Sequence, residues 1–160
     1  MTVILVEGES DRIAIETFGR RLGLSLPPVV AVGGSKGARR GAEEFPGERL
    51  LGLVDVDQRA DFERVLDRVF VCDPDLEGEL IRSLGVSAVE AVIAGQRELE
   101  SFRRMQHQPA QRDRPVEAQL ARFFGGRSGN KARYAGLLAE AAPLGAVPTP
   151  IRKLLDAASE

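Results

Sequence analysis

Four short apolar runs, bounded mostly by glycine, proline or charged residues, stand out in the first half of the chain. They are rich in valine, leucine and isoleucine and too short for buried helices. We therefore interpret them as strands of a sheet that is covered on both faces. The predicted strands are Thr2–Val6, Val29–Val32, Leu50–Val54 and Val69–Cys72.

Segments with apolar residues at helical spacing alternate with these strands. After the first strand, for example, Ile13, Ala14, Phe18 and Leu22 recur near the spacing of one helix face. This alternation predicts an α/β fold, with a mostly parallel central sheet of about four strands, helices on both faces and a helical C-terminal part. Further helices are predicted over Ala38–Phe45, Ala60–Arg68, Glu77–Leu84, much of Ala88–Met105, Val116–Phe124, Lys131–Glu140 and Ile151–Ala158.

The length of the chain fits one domain with its own core. We expect residues 1–160 to form a single domain, with a core over about residues 1–105 and a helical extension over about residues 115–160. No apolar run approaches the length that spans a bilayer, and the N-terminus lacks the features of a secretory signal. These observations lead us to expect a cytoplasmic protein with no membrane partner.

Carboxylates follow three of the predicted strands directly. Glu7 ends the first strand, Asp55 and Asp57 end the third, and the acidic segment Asp73–Glu79 follows the fourth. The carboxyl ends of parallel strands meet at one edge of a sheet, where ligands bind. Two unit charges about 4 Å apart repel by roughly 4 kcal/mol at an effective dielectric constant of about 20. The sequence therefore predicts a divalent cation at this edge, where Asp11 can join the other acids.

Composition limits the kind of metal site. The chain has one cysteine, Cys72, and one histidine, His107, which excludes cysteine-rich and multi-histidine sites. The ligands must then be oxygen atoms, which favours Mg²⁺, Mn²⁺ or Ca²⁺. The glycine-rich segment Gly33–Gly37 lacks the spacing of a P-loop, which argues against an NTPase.

The net charge of −2 conceals an uneven distribution of charged residues. Residues 55–100 contain twelve acids and five arginines, whereas residues 101–133 contain eight basic residues and two acids. This pattern fits either an ordinary solvated surface or an acidic metal site beside a basic rim for a polyanion. Charge alone does not separate the two.

Two segments, Val6–Asp11 and Gly52–Asp57, resemble the signature motifs of the Toprim domain, which occurs in topoisomerases, bacterial primases, recombination proteins and OLD-family nucleases. The sequence is most similar to the OLD type, in which two acids four residues apart precede a D-x-D pair and a third acidic segment. The resemblance covers about residues 1–140. OLD nucleases also carry an N-terminal ATPase, so the resemblance implies a stand-alone Toprim protein in which ATP control comes from a separate ATPase chain or is missing.

The resemblance implies Mg²⁺- or Mn²⁺-dependent hydrolysis of nucleic-acid phosphodiesters, with DNA favoured over RNA, in a setting such as DNA repair or phage defence. It also implies two metal ions in the active site. Asp55, Asp57 and an acid of the third segment, Glu77 or Glu79, would hold one ion, and Glu7 and Asp11 would hold the other.

The same resemblance implies roles for basic residues. Lys131, in the segment Gly129–Tyr134, would neutralise charge on the reacting phosphate. Flanking phosphates would contact Lys36, Arg127 and Arg133. The residues expected to act in catalysis are Glu7, Asp55, Asp57 and Lys131.

Other functions stay open at this point. One is a non-catalytic Toprim module that binds nucleic acid or a partner ATPase. Another is a receiver-like signalling domain with Asp55 as phospho-acceptor, which leaves Asp57 and the segment Asp73–Glu79 without a role. A haloacid-dehalogenase-type phosphatase is disfavoured because its D-x-D pair belongs on the first strand. A doubly wound domain with incidental surface acids is the least specific alternative, and the oligomeric state is open.

Overall fold

A computed structural model describes the backbone of residues 1–160 and every side chain except that of Ser35. Its strands are β1 (Thr2–Val6), β2 (Val29–Ala31), β3 (Arg49–Asp55) and β4 (Arg68–Cys72). They pair in parallel in the order β2-β1-β3-β4, so β1 and β3 occupy the centre of the sheet. The α/β class and the parallel sheet predicted from the sequence are confirmed.

Helices follow each strand and then make up the rest of the chain. The α-helices are α1 (Glu9–Arg21), α2 (Ser35–Glu43), α3 (Arg59–Glu63), α4 (Leu76–Leu84), α5 (Val86–Gly95), α6 (Leu99–Gln106), α7 (Val116–Gly125), α8 (Asn130–Ala141) and α9 (Thr149–Ala158). Short 3-10 turns form at Val56–Gln58 and Leu144–Ala146. Over the described residues, no helix is both long enough and apolar enough to cross a membrane.

Alternating side chains of the central strands build two cores on opposite faces of the sheet. Ile4 and Val6 of β1 point into the larger core, which α1 and α4 to α9 cover. Val3 and Leu5 point into the smaller core, which α2 and α3 cover and to which Phe62 contributes a buried ring. Both faces are therefore buried, as the continuous apolar runs predict.

The helix predicted over Ala60–Arg68 is wrong in its second half, because α3 ends at Glu63 and Arg68 already belongs to β4. Asp67 explains the early end. Its backbone N–H donates to the carbonyl of Leu50 at 2.9 Å, and its carboxylate accepts from the Leu50 N–H at 2.7 Å. These two bonds fix the chain beside the start of β3, which no helix could reach.

The predicted helical segment Ala88–Met105 is divided into α5 and α6. The break falls at Arg97, which has φ of +60°, a left-handed conformation that is uncommon for residues other than glycine. The Glu98 N–H then donates to the carbonyl of Ile93 at 3.2 Å and ends α5. The turn directs the Glu98 side chain toward α8, where it accepts a hydrogen bond from Tyr134.

Both ends of the chain lie beside Arg49, at the start of β3. The Arg49 N–H donates to the Met1 carbonyl at 3.0 Å, and the Met1 ammonium is 2.5 Å from the carboxylate of Glu48. The Arg49 guanidinium donates to the Ala157 carbonyl at 2.9 Å and to the Glu160 carboxylate at 3.0 Å. The two termini therefore meet at the amino edge of the sheet.

Replacing Gly52 with alanine tests the packing of the central strand. A Cβ atom at this position would lie 2.5 Å from Leu66 Cδ1 and 3.3 Å from the Leu5 carbonyl oxygen. We expect Gly52→Ala to lower the free energy of unfolding by about 1–3 kcal/mol, because the overpacked core must shift. Urea unfolding followed by circular dichroism measures the change.

The matched control is Gly95→Ala at the end of α5, where no described atom lies within 4 Å of the added Cβ. Alanine is favoured over glycine in a helix by up to about 1 kcal/mol, so this variant should be as stable as the wild type or slightly more stable. Equal unfolding midpoints for the two variants would contradict the packing that the structure gives to β3.

Candidate functional site

A cavity of about 210 Å³ opens at the carboxyl edge of the sheet. We call it the acidic cavity, because carboxylates dominate its charged lining. The lining comes from the ends of β1 and β3 and from the starts of α1, α4 and α8: Glu7, Gly8, Ser10, Asp11, Asp55, Leu76, Glu77 and Lys131. A larger cavity of about 540 Å³ lies between α4 and α7, but its lining is mainly apolar and offers no such set of carboxylates.

Asp11 sits in the first turn of α1 and is only 7% exposed. Its carboxylate accepts a hydrogen bond from the Gly8 N–H at 3.0 Å, which stabilises the start of the helix. Burial raises the pKa of Asp11 to about 7, against the opposing effect of the Gly8 bond and with a further rise from Glu7 and Glu77. The helix cap alone therefore does not account for this buried carboxylate.

Asp55 ends β3 and reaches across to α4. Its Oδ1 atom accepts a hydrogen bond from the Leu76 N–H at 3.0 Å. Burial raises the pKa of Asp55 to about 7, and the neighbouring carboxylates of Asp11, Glu77 and Glu7 contribute to the rise. Both aspartates thus resist ionisation for the same main reason, which is burial, and the neighbouring carboxylates add to it.

Two glutamates and one lysine complete the charged lining. Burial raises the pKa of Glu7 above its ordinary value, and Asp57 adds to the rise. Glu77 is 7% exposed, and its Oε1 atom lies 3.5 Å from the ammonium nitrogen of Lys131. Burial alone would lower the pKa of Lys131, but the carboxylates of Glu77 and Asp55 raise it overall, so the ammonium stays charged at neutral pH.

Three helix N-termini line the cavity, and their N–H groups, which have no partner within their own helix, supply partial positive charge. Those of α1 and α4 follow directly from the strands before them. The start of α8 arrives by packing, because α8 lies along α1. Gly129 precedes it with φ of +77°, and the Asn130 side-chain amide donates to the Phe123 carbonyl at 3.3 Å. These contacts fix Lys131 beside acids that are distant in sequence.

Five of the predicted site residues lie outside this lining: two acids, one lysine and two arginines. Asp57 is exposed on the 3-10 turn after β3, near enough to Glu7 to affect its pKa. Glu79 forms an ion pair with Arg82 at 3.1 Å and lines a different cavity, beside residues 145–150. Lys36 is exposed in the first turn of α2. Ser10 was not among the predicted site residues, but it lines the acidic cavity. Its position between Glu7 and Asp11 in the sequence could have identified it.

The two predicted arginines lie around Glu98 and not in the acidic cavity. Arg133 donates to the carboxylate of Glu98 and, at 2.8 Å, to the side-chain oxygen of Asn130. Tyr134 donates to the same Glu98 oxygen at 2.6 Å, and Arg127 lies 3.9 Å from the other oxygen. The bonds from Tyr134 and Arg133 lower the pKa of Glu98, so this carboxylate is ionised and already paired within the protein.

The residues of the acidic cavity fit a hard divalent cation in chemical type. Within the described part of the chain, no three acidic, histidine or cysteine side chains already hold their ligand atoms together for one ion. Asp11 and Asp55 each give one oxygen to a backbone N–H and keep the other. Gathering ligands around an ion therefore calls for rotation of the longer side chains Glu7 and Glu77. The donors are all oxygen, as Mg²⁺ and Mn²⁺ require.

The chain matches solved structures over almost its whole length. The C-terminal region of the Burkholderia pseudomallei OLD protein gives a TM-score of 0.68 at 20% identity, covering 99% of this chain and 96% of that chain. Two structures of the C-terminal region of the Xanthomonas campestris pv. campestris OLD protein give TM-scores of 0.66 at 22% identity and 0.67 at 23% identity. They cover 97% and 98% of this chain, and 92% and 91% of their own.

The structural matches confirm the Toprim-like fold of the OLD type that the sequence motifs indicate. No protein-family model and no curated protein sequence matches the chain. The likeness therefore concerns the fold, and the chemistry of the site follows from its own residues.

The raised pKa values of Asp11 and Asp55 predict an unusual dependence of stability on pH. Between about pH 4 and 7 the folded chain keeps two protons that the unfolded chain has released, so in metal-free buffer its stability should fall as pH rises. We expect the Tm to drop by several degrees between about pH 5 and pH 8, since 1 kcal/mol shifts the Tm of a domain this size by about 2–4 °C. Adding Mg²⁺ at pH 8 should restore it.

Asp55→Asn should flatten this pH dependence, because asparagine keeps an oxygen for the Leu76 N–H without the charge. The control is Asp61→Asn, an exposed acid on α3 outside the cavity. Thermal unfolding in EDTA and in Mg²⁺ provides the measurement. The Tm of Asp55→Asn and that of Asp61→Asn could instead depend on pH and on Mg²⁺ in the same way. That result would show that Asp55 is not a source of charge repulsion in the acidic cavity.

Proposed function

We propose that this chain is a Mg²⁺- or Mn²⁺-dependent nuclease that hydrolyses phosphodiester bonds of DNA at the acidic cavity. One observation carries the proposal: carboxylates from the segments that follow β1, β3 and β4 share one cavity with a charged lysine. The fold shared with the C-terminal regions of OLD proteins supports it. The residues that converge are Glu7, Asp11, Asp55, Glu77 and Lys131.

The carboxylates of the cavity lining would hold the metal. Asp11, Asp55 and Glu77 are the most buried of them, and Glu7 faces them from the end of β1. Asp57 would join from the rim, whereas Glu79 is the weaker candidate because Arg82 already pairs with it. A bound Mg²⁺ or Mn²⁺ supplies an acidified water and neutralises charge on a phosphoryl oxygen.

Side chains of the acidic cavity carry out the other parts of the hydrolysis. The Lys131 ammonium binds a non-bridging phosphoryl oxygen and offsets the charge that grows there as the water attacks phosphorus. Glu7, whose pKa is raised, accepts the proton that the water loses. A new phosphorus–oxygen bond forms while the bond to the leaving sugar oxygen breaks, and that oxygen takes a proton from solvent. The buried aspartates hold their positions through their hydrogen bonds to backbone N–H groups.

Features of the cavity favour hydrolysis over the receiver-like alternative. A phospho-acceptor site has no use for Glu77, which lies buried beside Lys131. A non-catalytic module that binds nucleic acid or a partner ATPase would have the same fold, but its carboxylates would have no catalytic role. Catalysis measured on the purified chain separates these functions.

Asp55→Asn should reduce metal-dependent DNA cleavage to background. The amide keeps the bond to the Leu76 N–H but removes a negative charge from the centre of the proposed metal site. Conversion of supercoiled plasmid to nicked and linear forms, with Mg²⁺, Mn²⁺ or EDTA, measures the activity. Asp61→Asn serves as the control and should cleave at the wild-type rate.

The outcomes of the plasmid assay lead to different conclusions. Full cleavage by Asp55→Asn would exclude a catalytic metal at β3. No cleavage by any variant, together with stabilisation of the wild type by Mg²⁺, would favour a non-catalytic module or one that needs an ATPase partner.

Lys131→Met should separate catalysis from metal binding. Loss of one charge that stabilises the transition state lowers rates by about 10²–10³-fold in comparable sites, so we expect kcat to fall by that order. The increase in Tm on adding Mg²⁺ should persist, because the ammonium repels a cation. Lys153→Met on α9 is the matched control, since this lysine is exposed away from the cavity lining. If Lys131→Met no longer gains Tm on adding Mg²⁺ but keeps the wild-type kcat, Lys131 supports metal binding and not catalysis.

A further inference from the structure

A second polar cavity, of about 380 Å³, lies between α6, α7 and the loop that leads into α8. We call it the arginine pocket. Its charged and polar lining includes three arginines, one from each of these elements, together with hydroxyl and amide groups. The residues that give the pocket this character are Ser101, Arg104, Gln108, Arg122, Arg127 and Asn130.

The arginine pocket has an excess of positive charge. Its only acid is Glu98, which already accepts hydrogen bonds from Tyr134 and Arg133. Among the side chains that the structure describes, Arg104 and Arg122 have no hydrogen-bond or ion-pair partner in the protein. Guanidinium groups that share a concave polar surface repel each other, so their placement is favourable when an anion lies between them.

The shape of the pocket follows from aromatic packing beneath it. Phe102 of α6 and Phe123 of α7 meet edge to face with ring centroids 5.3 Å apart. The same contact holds α6 against α7, and Arg104 of α6 and Arg122 of α7 both line the cavity between these helices. The backbone positions of these two arginines are therefore set by helix packing and not by a loop.

The arginine pocket adjoins the acidic cavity through the first turn of α8. Asn130 lines the former and the next residue, Lys131, lines the latter. The two linings thus meet at consecutive residues of one helix. Phosphates recur about every 3.4 Å along each strand of a nucleic acid, so a strand that enters the acidic cavity carries its neighbouring phosphates toward the arginine pocket.

We propose that the arginine pocket binds a backbone phosphate of the nucleic-acid strand whose neighbouring phosphodiester enters the acidic cavity. This inference rests on the proposed function and adds the substrate contacts next to the reacting group. Arg104 and Arg122 hold the phosphate, and Arg127 is the third arginine of the lining. Contacts from guanidinium groups to phosphate oxygens carry no information about the base, so this recognition is independent of sequence.

The pocket is suited to the backbone and not to bases. Phe123 is its only aromatic residue, and that ring packs against Phe102 and Phe124. A stacking platform, which sequence-tolerant single-strand binders use, is therefore not available in this pocket. The charge asymmetry of the sequence is partly explained by this arrangement. Arg104, Arg122 and Arg127 of the basic segment 101–133 line the arginine pocket, whereas Asp55 and Glu77 of the acidic segment 55–100 line the acidic cavity.

The test is the binding of fluorescein-labelled DNA and RNA oligonucleotides of the same sequence, measured by fluorescence anisotropy in EDTA. We expect the double variant Arg104→Gln/Arg122→Gln to bind both nucleic acids about tenfold more weakly. Its salt dependence, the slope of log K against log salt, should be smaller by about one for each phosphate that the variant no longer binds. The control Arg64→Gln/Arg152→Gln removes two exposed arginines that line neither cavity and should match the wild type.

Binding in EDTA does not require catalysis, so failure of this proposal and failure of the nuclease proposal are distinguishable. Asp61→Asn, at an exposed acid that lines neither cavity, should bind as tightly as the wild type. Equal affinities for the wild type and the Arg104/Arg122 variant, or no binding by the wild type, would overturn the proposal.

A second measurement compares plasmid cleavage with hydrolysis of bis(p-nitrophenyl) phosphate, a diester too short to reach the pocket. The ratio of the two rates should fall about tenfold in the arginine double variant relative to the wild type. A proportional loss on both substrates would mean that the arginines support the fold or the acidic cavity and bind no phosphate. Competition by a phosphopeptide as strong as that by DNA would indicate a protein partner and would also overturn the assignment.

Discussion

Parallel pairing of β1, β3 and β4 is the constraint on which the rest of the structure depends. Neighbouring strands that run the same way deliver their following residues to one edge, so Glu7 and Asp55 meet although they are far apart in sequence. Helix N-termini and Lys131 offset part of the resulting charge, but burial keeps the pKa values of Asp11 and Asp55 near 7. A chain selected for stability alone would not retain this arrangement, which is typical of functional sites.

The fold and most of the acidic cavity could be predicted from the sequence, because strand ends and helix starts are local patterns. The choice between Glu77 and Glu79 could not. Residues two apart on a helix point in roughly opposite directions, so the phase of α4 decides which one enters the cavity. Asp75 sets that phase by accepting from the Gly78 N–H at 2.8 Å, and Asp55 holds the preceding turn. That phase depends on a contact across the sheet edge.

Other features depended on packing that has no local signal. The break at Arg97 follows no glycine or proline, and the early end of α3 comes from bonds between Asp67 and Leu50. Arg104 and Arg122 belong to different helices, and both line one cavity where α6 packs against α7 through Phe102 and Phe123. Sequence reasoning identified the basic segment as a whole, while the selection of individual arginines required the three-dimensional arrangement of α6 and α7.

Because both termini lie beside Arg49, the chain is suited to circular permutation. The ends lie at the amino edge of the sheet, whereas the acidic cavity lies at the carboxyl edge. A short linker from Glu160 to Met1 would therefore close the backbone into a circle without crossing the site, and new ends could be opened in an exposed loop. The order in which the elements are synthesised is thus separable from the arrangement of the carboxylates. Permuted chains would show whether β1 must form first for the sheet to assemble.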